Sequence, residues 1–159
     1  MRVALAFLII TSLNLIGCNL LDIQPDQPLP TISDITQLEQ QAEEAYAIED
    51  WATAETAYKS LTQQLPGNPT PWFRLGNVYA RSNKLNAAVA AYREALVRDH
   101  KSSKAWHNMG VIQLRQAANT FLEMQQYTEE NDPLSIRARY AVNSIANLID
   151  SGFQPDDKQ

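Results

Sequence analysis

The residues of this chain that could carry out chemistry are few and scattered. His100 and His107 lie seven residues apart, but the helix boundary predicted at Ser102-Ser103 falls between them. The chain has one cysteine, and no tight pair of carboxylates accompanies the histidines, so no set of metal ligands is complete. We interpret both histidines as surface residues and expect neither a metal nor a cofactor.

The acidic residues give no catalytic pair either. They occur as sequence neighbours, at Glu43-Glu44, Glu129-Glu130 and Asp156-Asp157. Neighbouring side chains on a helix point about 100° apart, so these carboxylates do not converge on one substrate. The sequence contains no Gly-rich phosphate-binding loop and no nucleophile-elbow motif. We expect no enzymatic activity, and a periplasmic hydrolase or its subunit is the weakest hypothesis.

The one cysteine, Cys18, follows a segment that is organised like a secretory signal. Arg2 precedes an apolar run that is too short to span a membrane, which takes about 20 residues. The run ends in Leu15-Ile16-Gly17-Cys18, which resembles the lipobox of bacterial lipoproteins. The resemblance implies that residues 1–17 are a signal peptide and that Cys18 is acylated and becomes the first mature residue. The alternative is a buried free cysteine at the end of a core helix.

The residues after Cys18 bear on where the protein is anchored. In the Gram-negative lipoproteins that this segment resembles, an aspartate after the cysteine marks retention at the inner membrane. Asn19 stands there in this chain, which implies the outer membrane, with the body of the protein facing the periplasm. Residues 18–32 include three prolines and have no helical period, so we expect an extended tether rather than a docking strand.

The composition is that of one folded domain. Hydrophobic residues make up 45% of the chain and charged residues 19%, as in ordinary globular proteins. The net charge is −5, which disfavours nucleic acid as a partner because phosphate binding needs a surplus of Lys and Arg. We assign the folded domain to residues 33–152 and expect a disordered tail over residues 153–159.

Helical patterns fill the folded domain. Asp34 with Gln37 predicts the start of the first helix, and Thr70 is the predicted N-cap of the third. The second and fourth helices are predicted over residues 51–64 and 85–98.

The last part of the domain allows two interpretations. Residues 104–128 fit either one long helix or two helices that bend near Asn119-Thr120, and we favour two. Asp132-Pro133 predicts the start of a final helix, which Gly152 closes. Its predicted packing face consists of Ile136, Tyr140, Ala141, Ile145, Leu148 and Ile149.

The helical pattern repeats every 34 residues. Small residues recur at Ala42, Gly76 and Gly110, and an aromatic residue recurs at Tyr58 and Tyr92. A fixed period of helical hairpins indicates a helical solenoid. We expect each small residue to let the two helices of a hairpin approach closely, and each tyrosine to fill the space between hairpins.

The middle repeat carries a recognisable motif: Trp72, Leu75, Gly76 and Tyr79, followed by Ala88, Tyr92 and Ala95. This resembles the tetratricopeptide repeat (TPR). The resemblance implies an all-α, TPR-like helical solenoid of about three helix-turn-helix units plus a C-terminal capping helix. It fades after about Gln116, because Gln113, Leu122, Gln126 and Glu129 replace the expected small and aromatic residues.

The resemblance also implies a binding groove on the inner face of the first helix of each unit. Carried onto this sequence, the groove consists of Glu39, Glu43, Tyr46, Phe73, Arg74, Asn77, Arg81, Lys104, His107, Asn108, Val111 and Arg115. Its first unit is acidic and the other two are basic, which favours a partner with a carboxylate near the third. The alternative is that these are ordinary solvated helix residues.

Some TPR proteins clamp the C-terminal carboxylate of a peptide with two asparagines and several basic residues. Asn77 and Asn108 fall where those asparagines would lie, but Phe73 stands where the clamp needs a lysine. We therefore predict, more generally, a lipid-anchored adaptor or assembly factor for an envelope complex such as a pilus, secretion or export machine. The alternative is a structural lipoprotein that self-associates and has no separate ligand.

Overall fold

The computed structural model describes residues 30–150, which form six helices and, over that range, no strand. The helices are α1 (Ile32–Ala47), α2 (Trp51–Gln64), α3 (Pro69–Arg81), α4 (Leu85–Arg98), α5 (Ser103–Gln125) and α6 (Pro133–Asp150). Each helix packs against the next one along the chain, and α3 also contacts α5. The prediction of an all-α, TPR-like helical repeat fold is confirmed. The predicted signal peptide, Cys18, Gly152 and the tail lie outside the described residues.

The first two hairpins use the same backbone turn. Glu49 and Asn83, which are 34 residues apart, have φ angles of 61° and 58°, in the left-handed region. The next residue donates its N–H back into the preceding helix in both turns, from Asp50 to Ala45 at 2.9 Å and from Lys84 to Tyr79 at 2.8 Å. The sequence period therefore reproduces the geometry of the turn as well as the order of the helices.

Two of the predicted helix starts are wrong by a few residues. The N-cap of α1 is Thr31, whose hydroxyl accepts from the Asp34 N–H at 3.2 Å, while the Asp34 carboxylate accepts from the Thr31 N–H at 2.8 Å. Asp34 is thus the third residue of the capping box and not its first. The N-cap of α3 is Asn68, whose side chain accepts from the Thr70 N–H at 2.9 Å. Proline at the first helical position explains this earlier start.

The favoured bend near Asn119-Thr120 is also wrong, because α5 is one continuous helix. The segment contains neither Gly nor Pro after Gly110, and alanine favours a helix more than any other residue. The Thr120 hydroxyl donates to the Gln116 carbonyl at 3.0 Å, so this residue completes its hydrogen bonding within the helix. The alternative interpretation, a single long helix, is correct.

The final helix, α6, starts where it was predicted, and the Asp132 side chain accepts from the Leu134 N–H at 2.7 Å. Its packing face agrees with the prediction only in part, because Ile136, Ala141, Ile145 and Ile149 are half-buried. Ser135 and Ala138 are buried against the rest of the protein, whereas Tyr140 is 70% exposed and Leu148 is 44% exposed. Small side chains on α6 let it pack closely on α5, and this moves the larger ones to the surface.

The predicted packing of a small residue against a tyrosine is confirmed in the second hairpin. Ala42 and Tyr92 are fully buried, and Tyr58 is nearly so. A Cβ atom added to Gly76 would lie 2.5 Å from two ring carbons of Tyr92, so only glycine fits there. The prediction for Gly110 is wrong. A Cβ atom there would meet nothing within 4 Å, because α5 continues as one helix and no aromatic residue packs against this position.

Candidate functional site

Two cavities lie between the first helices of successive hairpins, α1, α3 and α5; we call this side of the protein the inner face. The α1–α3 cavity has a volume of about 360 Å³ and is lined by Glu39, Glu43, Tyr58, Leu61, Thr70, Pro71 and Arg74. The α3–α5 cavity has a volume of about 350 Å³ and is lined by Pro69, Thr70, Phe73, Ala95, Asp99, Ser102 and Lys104. Because Thr70 lines both, the cavities adjoin.

Three repeat positions contribute to both cavities. Glu39 and Leu61 of the α1–α3 cavity are each 34 residues before Phe73 and Ala95 of the α3–α5 cavity. Thr70 in the first has its counterpart in Lys104 in the second. The sequence analysis did not assign Leu61, Thr70 and Ala95 to a site. A comparison of equivalent positions in successive repeats would have identified these three residues. Asp99 and Ser102, at the turn before α5, gave no signal in the sequence.

A hydrogen-bonded cluster forms one wall of the α1–α3 cavity. The Tyr58 hydroxyl donates to the Glu43 carboxylate at 2.6 Å, and Arg74 Nε lies 3.2 Å from the same oxygen. Burial, followed by the hydrogen bond to Glu43, raises the pKa of Tyr58 above its ordinary value, so the phenol stays protonated and donates. Arg74 is 7% exposed, whereas the Glu43 side chain is 47% exposed, so solvent reaches the pair at Glu43.

An uncharged cluster occupies the same register one repeat later. The Tyr92 hydroxyl donates to Asn77 Oδ1 at 2.9 Å, and Asn108 Nδ2 donates to the same oxygen at 3.0 Å. Asn77, Asn108 and Val111 are all fully buried. Three of the predicted groove residues therefore lie beneath the inner face rather than on it.

The other predicted groove residues are more accessible. Arg81 is exposed, and Phe73, Lys104, His107 and Arg115 are half-buried. The Phe73 ring packs against Tyr92 with centroids 5.9 Å apart. At the other end Glu39 and Glu43 are exposed, while Tyr46 is half-buried and packs edge-on against Trp51 at 5.4 Å. The acidic and basic ends of the predicted groove are thus both present, but no ligand tests them, and the groove and the carboxylate clamp stay predictions.

Residues 30–150 contain no group of three or more His, Cys, Asp and Glu that could hold a metal ion. His100 is exposed and His107 is half-buried. Over the same described range, no helix combines the length and the apolar character that crossing a membrane requires.

The stacked hairpins with adjoining cavities define a TPR-like helical repeat protein. Residues 76–116, from the middle of α3 to the first half of α5, match the family model described as TPR repeat. This match includes the motif residues Gly76, Tyr79, Ala88, Tyr92 and Ala95, and it ends where the sequence analysis placed the end of the resemblance. No curated protein matches the chain. TPR repeats generally mediate protein–protein interaction.

Proposed function

We propose that this protein is a membrane-anchored TPR adaptor that binds a protein partner on its inner face and helps to assemble a bacterial envelope complex. The observation that carries the proposal is the pair of adjoining cavities between α1, α3 and α5, whose linings share three repeat positions. A row of equivalent cavities suits a partner segment that runs across several repeats. In this proposal the protein acts as a scaffold and not as an enzyme.

The charge on the inner face supports a protein as the partner. Arg81 and Arg115 occupy the same repeat position on α3 and α5, and the acidic residues Glu39 and Glu43 lie on α1. Opposite charges at the two ends of one face give orientation to a bound partner, and repulsion excludes a partner with the reversed pattern.

Charge reversal tests the binding role of the inner face. We expect the double substitution Arg81→Glu with Arg115→Glu to abolish capture of the partner in a crosslinking pull-down from intact cells. The double substitution Arg93→Glu with Arg137→Glu is the control, because it changes the charge equally at exposed positions on α4 and α6. Circular dichroism must show that both variants fold. Equal capture by both variants would remove the inner face as the binding site.

The anchor is proposed on the lipobox alone. Acylation of Cys18 by two or three chains would hold the protein firmly, whereas a single chain gives only marginal membrane binding. Asn19 supports the outer membrane, and the Pro-rich segment before α1 would separate the folded domain from the lipid. The Cys18→Ala variant should leave the membrane fraction, and its continued sedimentation with membranes would contradict the proposal.

The second candidate is a structural lipoprotein that self-associates through its repeats. It is favoured by the apolar side chains that α6 leaves at the surface, Leu134, Tyr140 and Leu148. Light scattering on the chain without residues 1–18 separates the two functions. A mass that rises with concentration supports self-association, and a constant monomer mass supports the adaptor.

A further inference from the structure

We infer that the inner face binds an extended peptide of defined charge order. The peptide places a lysine or arginine in the α1–α3 cavity, and an apolar side chain followed by an acidic one in the α3–α5 cavity. The inference rests on the proposed function, that the inner face binds a protein, and it names the chemistry of the bound segment.

The α1–α3 cavity has the features that a long cationic side chain needs. Glu39 and Glu43 are one helical turn apart and both line the cavity, so their carboxylates face the same space. Arg74 forms an ion pair with Glu43 and so offsets one of these two negative charges. The cavity therefore keeps a net negative charge. Leu61 and Pro71 line the same cavity and can pack against the aliphatic part of a lysine or arginine.

The α3–α5 cavity carries no net charge, because its two charged lining residues, Lys104 and Asp99, have opposite signs. Pro69, Phe73 and Ala95 give it an apolar lining, and its volume exceeds that of a leucine side chain. Lys104 is the one basic residue in the lining, and it can pair with an acidic residue that follows the apolar one. Asp99 also lines this cavity, so a strongly acidic peptide is disfavoured there.

The helices that carry the cavities reinforce this order. The α1 sequence contains four acidic residues and no basic one. Helix α5 has no acidic residue before Glu123. A peptide with its basic and acidic ends exchanged would place its acidic residue beside Glu39 and Glu43, and repulsion between like charges would disfavour that orientation.

The contact between the cavities favours an extended occupant. Thr70 lines both, so one continuous segment can reach the two spaces without leaving the surface. In an extended chain alternate side chains point to one side, which allows the side chains in between to face solvent. A bound helix is the other possible occupant, and the test below distinguishes the two.

The test measures fluorescence anisotropy of short capped peptides titrated with the full chain. The probe peptide has a lysine, a spacer of alanine and serine of varied length, then leucine and aspartate. A second peptide has the reversed sequence, a third replaces the lysine with glutamate, and a fourth has a proline within the spacer. The protein variants are Glu39→Lys, Thr70→Trp and two matched controls. The controls are Glu44→Lys, on the α1 face away from the cavities, and Thr36→Trp, at the repeat position equivalent to Thr70.

We expect Glu39→Lys to weaken binding of the probe peptide at least about tenfold. A tenfold change corresponds to about 1.4 kcal/mol, which is in the range of one charge-assisted contact. The glutamate peptide should recover binding to Glu39→Lys but not to the Glu44→Lys control. Thr70→Trp should block both cavities, and Thr36→Trp should have no effect. The proline peptide should bind as well as the probe.

The outcomes separate this inference from the proposed function. If Glu39→Lys and the unsubstituted chain bind the probe equally well, the α1–α3 cavity is not the site of the basic side chain. The inner face would still be the binding site if Thr70→Trp blocked binding. Loss of binding with the proline peptide alone would overturn the extended occupant in favour of a helix. If capture of the cellular partner depends on Arg81 and Arg115 but none of the four peptides binds, the adaptor function stands and the proposed peptide chemistry is rejected.

Discussion

The hydroxyl of Tyr92 donates a hydrogen bond to Asn77 at 2.9 Å, and this contact repeats one made 34 residues earlier, by Tyr58 with Glu43 at 2.6 Å. In each case a residue of the following hairpin adds a second contact to the same acceptor: Asn108 at 3.0 Å in one and Arg74 at 3.2 Å in the other. One acceptor thereby connects the two helices of its own hairpin with the first helix of the next. The register is kept while the chemistry changes from an ion pair to an amide pair.

The buried cluster should contribute more stability than the charged one. Tyr92→Phe leaves Asn77 with one donor in a fully buried site, and we expect a loss of about 1–2 kcal/mol in the free energy of unfolding. Tyr58→Phe should cost less, because Glu43 is 47% exposed and water can replace the hydroxyl. Urea denaturation measures both, and Tyr140→Phe, at an exposed position, is the control. A larger loss for Tyr58→Phe would contradict this explanation.

Two glycines in equivalent positions should respond in opposite ways to alanine. In Gly76→Ala the new Cβ meets the Tyr92 ring at 2.5 Å, and we expect a loss of about 1–3 kcal/mol from overpacking. In Gly110→Ala the new Cβ has no neighbour within 4 Å, and the higher helix propensity of alanine should add up to about 1 kcal/mol. Thermal unfolding of the two variants gives a direct comparison. If both lose stability, the difference in aromatic packing does not explain the two sites.

The left-handed turns make a further pair. Glu49 has a φ angle of 61° in the turn of the first hairpin, and Asn83 has a φ angle of 58° at the equivalent position of the second. Asparagine tolerates this region better than glutamate does, because its short side chain can hydrogen-bond locally. Glu49→Asn should raise the melting temperature and Asn83→Glu should lower it, as measured by circular dichroism. Glu49 lies outside both cavities, so peptide binding by the first variant should not change.

The sequence predicted those parts of the fold that local chemistry determines. The motif around Trp72 and Tyr92 gave the hairpin order, and the bounds of α2 were predicted to the residue. The packing direction of α6 was not predictable from its own pattern. Tyr140 shares a helical face with apolar residues in sequence, yet it is 70% exposed, whereas Ala138 is buried.

The same distinction applies to the candidate site. Repeat position placed Asn77 and Asn108 on the inner side of their helices, but it did not show that both are buried. Both are buried where helices pack together, and Asn77 accepts hydrogen bonds there from Tyr92 of α4 and Asn108 of α5. The residues that line the cavities on both sides of Thr70 come from three helices each, so only the assembled structure brings them together.

The helix cap at Asp50 should make part of the stability depend on pH. Its carboxylate accepts from the Thr53 N–H at 3.1 Å, and hydrogen bonding to Thr53 lowers the pKa of Asp50 below its ordinary value. A carboxyl with a lower pKa in the folded state stabilises the protein above its unfolded pKa, near 3.8, and this contribution is lost as the pH falls through the folded pKa. Asp50→Asn keeps the acceptor but cannot titrate, so its melting temperature should fall less than that of the unsubstituted chain between pH 5 and pH 2. Parallel melting curves over this range would show that the cap does not contribute to acid sensitivity.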